Sequence, residues 1–241
     1  MNRERADVLL VQAGLAASRA RARALILDGK VAGVTKPGQM MPADARLTLT
    51  EADHPWVSRG GLKLAHALDH FALPVEGRDA LDVGASTGGF TDVLLARGAR
   101  HAVAVDVGHG QLHPRLTADP RVTNIEGVNA RDITAGLIGI APSAIVADLS
   151  FISLAVGLPA ALSCAAPSAW LVALIKPQFE VGRAHVGKGG IVRDAIIRDA
   201  VPETIGCWLS DEMGWRVQGV TDSPVQGSDG NREFLIAAWK A

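Results

Sequence analysis

Apolar runs recur through the middle of the chain, and each is bounded by charged residues or by residues that favour turns. Five of them are five to seven residues long and cover residues 79–83, 101–106, 121–125, 143–148 and 169–175. Continuous apolar runs of this length predict strands of a parallel sheet whose two faces are covered by helices. Two more runs, 216–221 and 233–239, flank a turn-rich segment and predict a C-terminal hairpin. The predicted fold class is therefore α/β, with a doubly wound sheet of parallel strands closed by that hairpin.

The first 50 residues follow a different pattern, in which two short amphipathic helices precede a small amount of extended chain. Glycines end both helical patterns, and a serine at the start of the second one predicts an N-cap. This order predicts a separate small α+β domain. Its predicted elements are a helix over 5–13, a helix over 19–27 capped by Ser18, and strands over 30–34 and 46–50.

The boundary between the two parts is predicted from a change in composition. Residues 51–57 contain no periodic apolar pattern and are interpreted as a linker between a domain over 1–50 and a domain over 58–241. The larger domain is predicted to begin with a helix over residues 61–71, with Ser58 as its N-cap.

Charge is distributed unevenly between these two parts. Residues 1–50 carry eight Lys or Arg and four acidic residues, so their net charge is +4, whereas the remaining residues have a net charge of −5. A basic head on an acidic body indicates a module that binds a polyanion. Arg19 and Arg23 lie four residues apart and share one helix face, which could contact phosphates or could be an ordinary solvated face.

One long stretch without formal charge, Leu149–Ile175, has the length of a membrane span. It contains Pro159 and Pro167 together with several serines, so it is interpreted as a core helix, a turn and a buried strand. The chain has two cysteines, which match no disulfide framework or metal motif, and its first residues do not resemble a signal peptide. These features predict a cytoplasmic protein without a metal site.

The stretch Leu81–Thr91 predicts a strand, a turn with three glycines, and the start of a helix. In doubly wound sheets this turn is where a nucleotide-like cofactor binds, and Asp106 ends the next strand, where a carboxylate can accept ribose hydroxyls. The glycine spacing differs from that of dinucleotide-binding proteins, and the chain has no tyrosine. The pattern therefore favours S-adenosylmethionine over NAD, with Asp82 able to reach the amino-acid end of the cofactor.

Four polar residues lie at the ends of predicted core elements and are candidates for chemistry. They are Lys63, Asp148, Lys176 and Glu233. Ligands bind at the carboxyl ends of parallel strands, so Asp148 and Lys176 are expected beside the pocket that begins at Gly84. Each residue taken alone could be an ordinary charge at the end of a strand, whereas the set of four indicates a catalytic site.

Long segments of the chain resemble those of one known family. The segments are 58–64 (SRGGLKL), 82–91 (DVGASTGGFT), 106–112 (DVGHGQL), 147–153 (ADLSFIS), 176–180 (KPQFE) and 186–194 (VGKGGIVRD). They resemble the TlyA (hemolysin A) family of ribosomal-RNA ribose 2′-O-methyltransferases, whose catalytic domain is of the FtsJ type. The first 50 residues resemble a small RNA-binding domain found in a ribosomal protein and in some pseudouridine synthases, although a usual Asn-Gly turn is missing here.

The resemblance implies a Rossmann-like class I methyltransferase that transfers methyl groups from S-adenosylmethionine to ribosomal RNA and releases S-adenosylhomocysteine. The expected target is cytidine in the small subunit, the large subunit or both. The implied Lys-Asp-Lys-Glu tetrad is Lys63, Asp148, Lys176 and Glu233. The implied cofactor residues are Asp82, Gly84, Ala85, Ser86, Thr87, Gly88, Gly89, Phe90, Asp106, Asn129 and Asp148, where Asn129 replaces an aspartate of FtsJ-type enzymes. The candidate RNA-binding residues are Arg5, Arg19, Arg23, Lys36, Arg59, Arg183 and Lys188.

Two further expectations concern mechanism. Lys176 either accepts the proton of the ribose hydroxyl as a neutral amine or remains charged and stabilises the alkoxide. The glycine-rich stretch 181–193 is expected to be a loop that orders over bound RNA, with a disordered surface loop as the alternative.

The alternative function is an RNA-binding protein with a regulatory or membrane-active role.

Overall fold

The computed structural model describes residues 3–16, 18–27, 29–50, 54–227 and 230–241. The chain divides into two compact units, Met1–Pro55 and Trp56–Ala241. Residues 51–53 of the expected linker lie outside the described residues. Trp56 and Val57, which the sequence placed in the linker, belong to the large unit, where the Val57 N–H donates to the Asp92 carboxylate at 2.9 Å.

In the part of the small unit that the structure describes, two helices pack over a short antiparallel ribbon. Its elements are β1 (Arg3–Arg5), α1 (Ala6–Gln12), α2 (Arg19–Leu27) and β2 (Met40–Pro42). Strand β1 pairs with β2, and the apolar faces of the helices pack around Leu10, Leu25 and Ile26. The Ser18 hydroxyl accepts the Arg21 N–H at 3.2 Å, as expected for the N-cap of α2.

The expected strands over 30–34 and 46–50 are wrong. The two segments meet in a single antiparallel bridge between Val31 and Leu49, and the ribbon is built instead from β1 and β2. Gly33 has φ of +72°, a left-handed conformation that interrupts an extended strand after two residues. Val31 and Val34 are buried in the core of the small unit, which explains the apolar pattern without a regular strand.

The large unit contains a seven-stranded sheet. Its strands are β3 (Asp79–Val83), β4 (His101–Asp106), β5 (Val122–Glu126), β6 (Ala144–Ala147), β7 (Trp170–Ile175), β8 (Trp215–Asp222) and β9 (Phe234–Lys240). They lie in the order β5-β4-β3-β6-β7-β9-β8. The first five are parallel, β9 runs antiparallel to β7, and β8 pairs antiparallel with β9. The predicted α/β sheet closed by a hairpin is confirmed.

Helices cover both faces of this sheet. They are α3 (Gly60–His70), α4 (Gly89–Ala96), α5 (Pro114–Thr117), α6 (Ala135–Ile138), α7 (Leu154–Gly157), α8 (Pro159–Ser163), α9 (Pro177–Glu180) and α10 (Ala195–Asp211), with 3-10 turns over Ala130–Asp132 and Arg183–His185. The uncharged stretch 149–175 forms α7, α8 and the fully buried strand β7. Among the described residues, no helix combines the length and apolar character that a membrane crossing requires.

Helix α3 begins differently from the expectation. Arg59 at its N-cap position has helical φ and ψ and no capping side chain, so Ser58 is not the N-cap. Glycines at the starts of α3 and α4 instead allow close packing. A Cβ on Gly89 would lie 2.2 Å from the Ser58 hydroxyl, and one on Gly61 would lie 2.3 Å from the Trp56 side chain.

Candidate active site

A cavity of about 730 Å³ opens at the carboxyl ends of β3, β4 and β6. The strand order reverses between β3 and β6, and ligands of open α/β sheets bind at such a switch point. The volume is within the range of cofactor pockets, and the lining is mostly apolar with a few polar groups. Five of the predicted cofactor residues line it: Gly84, Ser86, Asp106, Asn129 and Asp148.

Gly84 allows the ends of β3 and β6 to approach each other. Its φ is +84°, and a Cβ at this position would lie 2.6 Å from the carbonyl oxygen of Asp148. A side chain here would therefore strain the backbone and separate the two strand ends, in addition to filling space that a ligand needs. The glycine is required by both the turn and the cavity.

The polar groups of the cavity are held in defined positions. The Asp106 carboxylate accepts the Ser86 N–H at 2.8 Å and the Gly108 N–H at 2.7 Å. A carboxylate has about four acceptor positions, so two remain for hydroxyls of a ribose. The side-chain oxygen Oδ1 of Asn129 accepts two hydrogen bonds from Arg131, one from its backbone N–H and one from its Nε, both at 3.1 Å. Asn129 therefore presents an oriented amide to the cavity.

Six predicted cofactor residues do not line the cavity. They are Asp82, Ala85, Thr87, Gly88, Gly89 and Phe90. Most of them pack the start of α4: Phe90 is 3% exposed, and a Cβ on Gly88 would lie 2.3 Å from Leu116. In this structure these residues support the cavity through packing between α4, α5 and the sheet, and their contact with the cofactor stays a prediction.

Among these residues, Asp82 has the most clearly defined structural contacts. Its carboxylate is 0% exposed and accepts the N–H and the hydroxyl of Thr91 at 2.9 and 2.6 Å, so it holds the first turn of α4. Oδ1 is buried and receives no hydrogen bond from the described residues. Burial raises the pKa of Asp82 to about 7, against the effect of the Thr91 hydrogen bonds, and the nearby Asp148 carboxylate adds to the increase.

This raised pKa predicts how stability depends on pH. Between about pH 4 and pH 7 the folded protein retains a proton on Asp82 that the unfolded chain releases, so the group lowers the free energy of unfolding as pH rises. The amide of Asp82→Asn does not ionise, so this variant lacks that dependence on pH. We expect its unfolding free energy, relative to that of wild type, to increase between pH 5 and pH 8 by up to about 3 kcal/mol.

Urea denaturation of both proteins at the two pH values measures this difference. The relevant quantity is its change with pH, because the amide also alters the hydrogen bonds to Thr91. Asp119→Asn is the matched control, since the hydrogen bond from Arg121 lowers the pKa of Asp119 and keeps that residue ionised throughout this range. A difference between Asp82→Asn and wild type that stays constant with pH would contradict the assignment.

A second, smaller cavity of about 200 Å³ adjoins the first. It is lined by Ser150, Phe151, Lys176, Gln178, Phe179, Val186, Gly190 and Glu233. Ser150 and Phe151 line both cavities, so the two spaces meet at these residues. One cavity therefore presents Asp106 and Asp148, the other presents Lys176 and Glu233, and a reaction between two bound molecules could take place at the boundary.

Lys176 lies at this boundary. Its Nζ is 2.6 Å from Oδ1 of Asp148, an ion pair whose angles do not form a hydrogen bond, and it donates to the Ser150 hydroxyl at 2.8 Å. The ammonium also lies 5.9 Å from the centre of the Phe179 ring. A carboxylate, a hydroxyl and an aromatic ring thus fix the position of the amine.

The other two candidate residues form a buried ion pair. Lys63 Nζ donates to Oε2 of Glu233 at 2.6 Å, and the exposed fractions of the two residues are 8% and 3%. Glu233 lines the smaller cavity, whereas Lys63 lies behind it and lines neither. The structure thus brings the four predicted residues together as two pairs, with Lys63 orienting Glu233.

Two side chains without a predicted role belong to this site. Phe151 is 91% exposed with φ of +66°, and its ring centre is 5.2 Å from that of Phe179. An exposed aromatic ring on a strained backbone is a feature of functional sites. Glu180 accepts the Ser153 hydroxyl at 2.6 Å and the Leu154 N–H at 2.9 Å, fixing the segment after Phe151. Burial raises the pKa of Glu180.

The candidate RNA-binding residues occur in both units. In the small unit Arg5 forms two hydrogen bonds to the buried Asp7 and Arg19 forms one, which leaves their guanidinium groups partly engaged. The hydrogen bonding of Arg5 lowers the pKa of Asp7 to about 2. An open concavity of about 480 Å³ is lined by Arg19, Ala20 and Arg23. Lys36, Arg183 and Lys188 are exposed, and Arg59 is half-buried.

Comparison with known proteins relates this chain to methyltransferases of ribosomal RNA. The family model of FtsJ-like methyltransferases matches residues 56–240. The 16S/23S rRNA (cytidine-2′-O)-methyltransferase TlyA of Mycobacterium tuberculosis is 48% identical over 97% of this chain and 89% of that protein. Hemolysin A of Brachyspira hyodysenteriae is 39% identical over 96% of this chain and 98% of that protein. A solved structure from Streptococcus thermophilus, provisionally named a hemolysin, has a TM-score of 0.78 at 41% identity and covers 100% of this chain and 90% of that chain.

Proposed function

Because the chain belongs to the family of FtsJ-like methyltransferases, we propose that it transfers a methyl group from S-adenosylmethionine to a ribose 2′-hydroxyl of ribosomal RNA. The observation that carries the proposal is the meeting of the two cavities at Ser150 and Phe151, with Lys176 and Asp148 beside the boundary. The larger cavity suits a nucleoside cofactor, and the smaller one suits a nucleotide of the substrate. Cytidine is the proposed target, as in the relative from Mycobacterium tuberculosis.

The residues of the larger cavity fit the cofactor. Asp106 would accept the ribose hydroxyls with its free lone pairs, and Asn129 would bind the adenine edge with its oriented amide. Asp148 places a negative charge at the opposite end, where a sulfonium group is favourable. S-adenosylmethionine, when bound, supplies an electrophilic methyl group, and the chain supplies binding, orientation and control of the proton.

The residues of the smaller cavity would act on the ribose. Lys176 would contact the 2′-hydroxyl and either remove its proton or stabilise the developing alkoxide. Glu233, held by Lys63, would accept a hydrogen bond from a neighbouring ribose hydroxyl and fix the sugar. Phe151 would stack on the base, since sequence-tolerant stacking on aromatic rings is the usual way that proteins hold unpaired nucleotides.

RNA binding would involve both units. The exposed Arg23 and Lys36 of the small unit, with the partly engaged Arg5 and Arg19, form a basic surface for RNA phosphates. Arg183 and Lys188 extend from the loop beside the smaller cavity and would contact phosphates near the target. Since the proposed substrate is the ribosome or its RNA, the proposed location is the cytoplasm.

The proposal is tested by the chemistry of the product. Ribosomal subunits that lack the modification are incubated with the protein and methyl-labelled S-adenosylmethionine, and the RNA is then hydrolysed with alkali. A 2′-O-methyl ribose cannot attack the adjacent phosphate, so we expect the label in an alkali-resistant dinucleotide. Label in single nucleotides would show base methylation instead, and labelling that is absent with both subunits would contradict the function.

A further inference from the structure

We propose that Asn231 is a positioning residue of the reaction, which fastens the loop Val181–Arg193 to the segment carrying Glu233 and holds the wall of the smaller cavity in place before RNA binds. This inference rests on the proposed function, because it assigns the smaller cavity to the target ribose. It also differs from the expectation that this loop becomes ordered only on RNA.

The first observation is a pair of hydrogen bonds between one buried side chain and the loop. Asn231 is 3% exposed, its Nδ2 donates to the carbonyl of Gly190 at 2.8 Å, and its Oδ1 accepts the N–H of Val192 at 3.2 Å. Val192 is itself buried, at 3% exposure. Without the amide, a backbone donor and an acceptor near the loop's C-terminal end would lose their partners.

The second observation connects the same residue to Glu233. The Asn231 backbone carbonyl accepts the Gly227 N–H at 3.0 Å. A Cβ on Gly227 would lie 2.5 Å from Oε1 of Glu233, so Gly227 packs directly against this carboxylate. Asn231 therefore joins the loop to the backbone that sets the position of Glu233.

The third observation is that the loop forms part of the cavity. Val186 and Gly190 line the smaller cavity together with Lys176 and Phe179. The Gly187 N–H donates to the Ile191 carbonyl at 3.0 Å, so the tip of the loop is closed on itself. Release at Gly190 and Val192 would move this wall and would disperse the exposed cations Arg183 and Lys188. Loss of the Asn231 side chain should therefore lower the affinity for RNA by a larger factor than it lowers the rate of methyl transfer in the bound complex.

Trypsin provides a direct test, because the loop contains three cleavage sites, Arg183, Lys188 and Arg193. The full-length protein is digested at limiting trypsin, and the variants are compared in S-adenosylhomocysteine binding and in steady-state kinetics on ribosomal RNA. For Asn231→Ala we expect cleavage in the loop about tenfold faster than in wild type, since fastened segments must open before they are cut. We also expect KM for RNA to rise about tenfold while kcat changes less than about threefold.

Two further variants sharpen the test. Arg232→Ala changes the adjacent residue, whose guanidinium bonds Asp222 on the surface, and it should leave loop cleavage and KM unchanged. Asn231→Asp keeps the acceptor for Val192 and loses the donor to Gly190, so its cleavage rate should lie between those of wild type and Asn231→Ala. If Asn231→Ala fails to bind S-adenosylhomocysteine and is misfolded, Asn231→Asp decides the question by the same readouts.

The outcomes separate this inference from the proposed function. If a folded Asn231→Ala shows unchanged cleavage and unchanged KM, the proposed role of Asn231 is overturned. If cleavage is faster and KM is unchanged, the loop is fastened by Asn231 but plays no part in substrate binding, which also overturns the role as a positioning residue. A wild-type protein that does not methylate RNA would refute the proposed function, whereas the cleavage comparison would still report whether Asn231 fastens the loop.

Discussion

Replacement of Lys176 by alanine is expected to reduce methyl transfer by a factor of roughly 10² or more, the usual contribution of a proton acceptor or an alkoxide stabiliser. The amine lies between Asp148, Ser150 and the smaller cavity, so no neighbouring cation replaces it among the residues that line that cavity. Binding of S-adenosylhomocysteine should change little, because Lys176 does not line the larger cavity. Single-turnover rates with RNA and calorimetry with S-adenosylhomocysteine measure the two quantities.

A matched control removes another lysine that also bonds a neutral oxygen. Lys240 donates to the carbonyl of Ala165 and lines neither cavity, so Lys240→Ala should retain full transfer activity. The loss of Lys176 leaves Asp148 without its cation, so the melting temperature of Lys176→Ala is measured beside its activity. Near wild-type transfer by a folded Lys176→Ala would exclude both roles of this residue.

Lys176→Arg distinguishes the two roles, because arginine stays protonated and cannot act as a base. The other role, stabilisation of the alkoxide, requires only that a cation stays beside Asp148. Appreciable activity of Lys176→Arg would establish that role. A dead arginine variant, together with a wild-type rate that increases with pH to a plateau, would instead indicate that Lys176 acts as a neutral base.

Deletion of residues 1–55 is expected to abolish methylation of ribosomal RNA while leaving S-adenosylhomocysteine binding intact. The two units have separate hydrophobic clusters: the cluster of the small unit contains only residues up to Leu49, and those of the large unit contain only residues from Trp56 onward. The large unit should therefore fold alone. It would lose the exposed Arg23 and Lys36, and with them most of the proposed affinity for phosphate.

Titration with salt extends this prediction. Phosphate contacts release counterions, so the affinity of the full chain for ribosomal RNA should fall steeply with salt, and the truncated protein should show a shallower slope. Arg23→Glu in the full chain is the companion variant, since it reverses one exposed charge at the Arg19–Arg23 concavity and leaves the large unit unchanged. A truncated protein with full activity on ribosomal substrates would show that the small unit does not anchor the RNA.

The sequence predicted the large sheet well because its strands follow a simple physical rule. Strand β7, for example, is buried along its whole length, so every position must be apolar and the run is visible without knowledge of its neighbours. The small unit was predicted less well. Val31 and Val34 are apolar because they fill a core, and a glycine with positive φ prevents the extended strand that their spacing favoured.

In the candidate site, too, some features could be predicted from the sequence and others could not. Because parallel strands end at one edge of a sheet, the positions of Asp106 and Asp148 could be predicted from the chain alone. The roles within the glycine-rich turn could not be predicted in this way. Asp82 and Gly88 have the residue types that a ligand site uses, but one caps a helix and the other packs against α5, because their surroundings come from segments distant in sequence.

By itself, the sequence determined the α/β class, the five parallel strands followed by a terminal hairpin, and the four polar residues at the ends of core elements, since each depends on local pattern and on general rules of strand connection. Only the tertiary structure decided that these residues form two ion pairs, Lys63 with Glu233 and Lys176 with Asp148. It also decided that Phe151 lies where the two cavities meet. Pairing, burial and orientation depend on distances between residues that are up to 170 positions apart in the chain, and no local pattern encodes those distances.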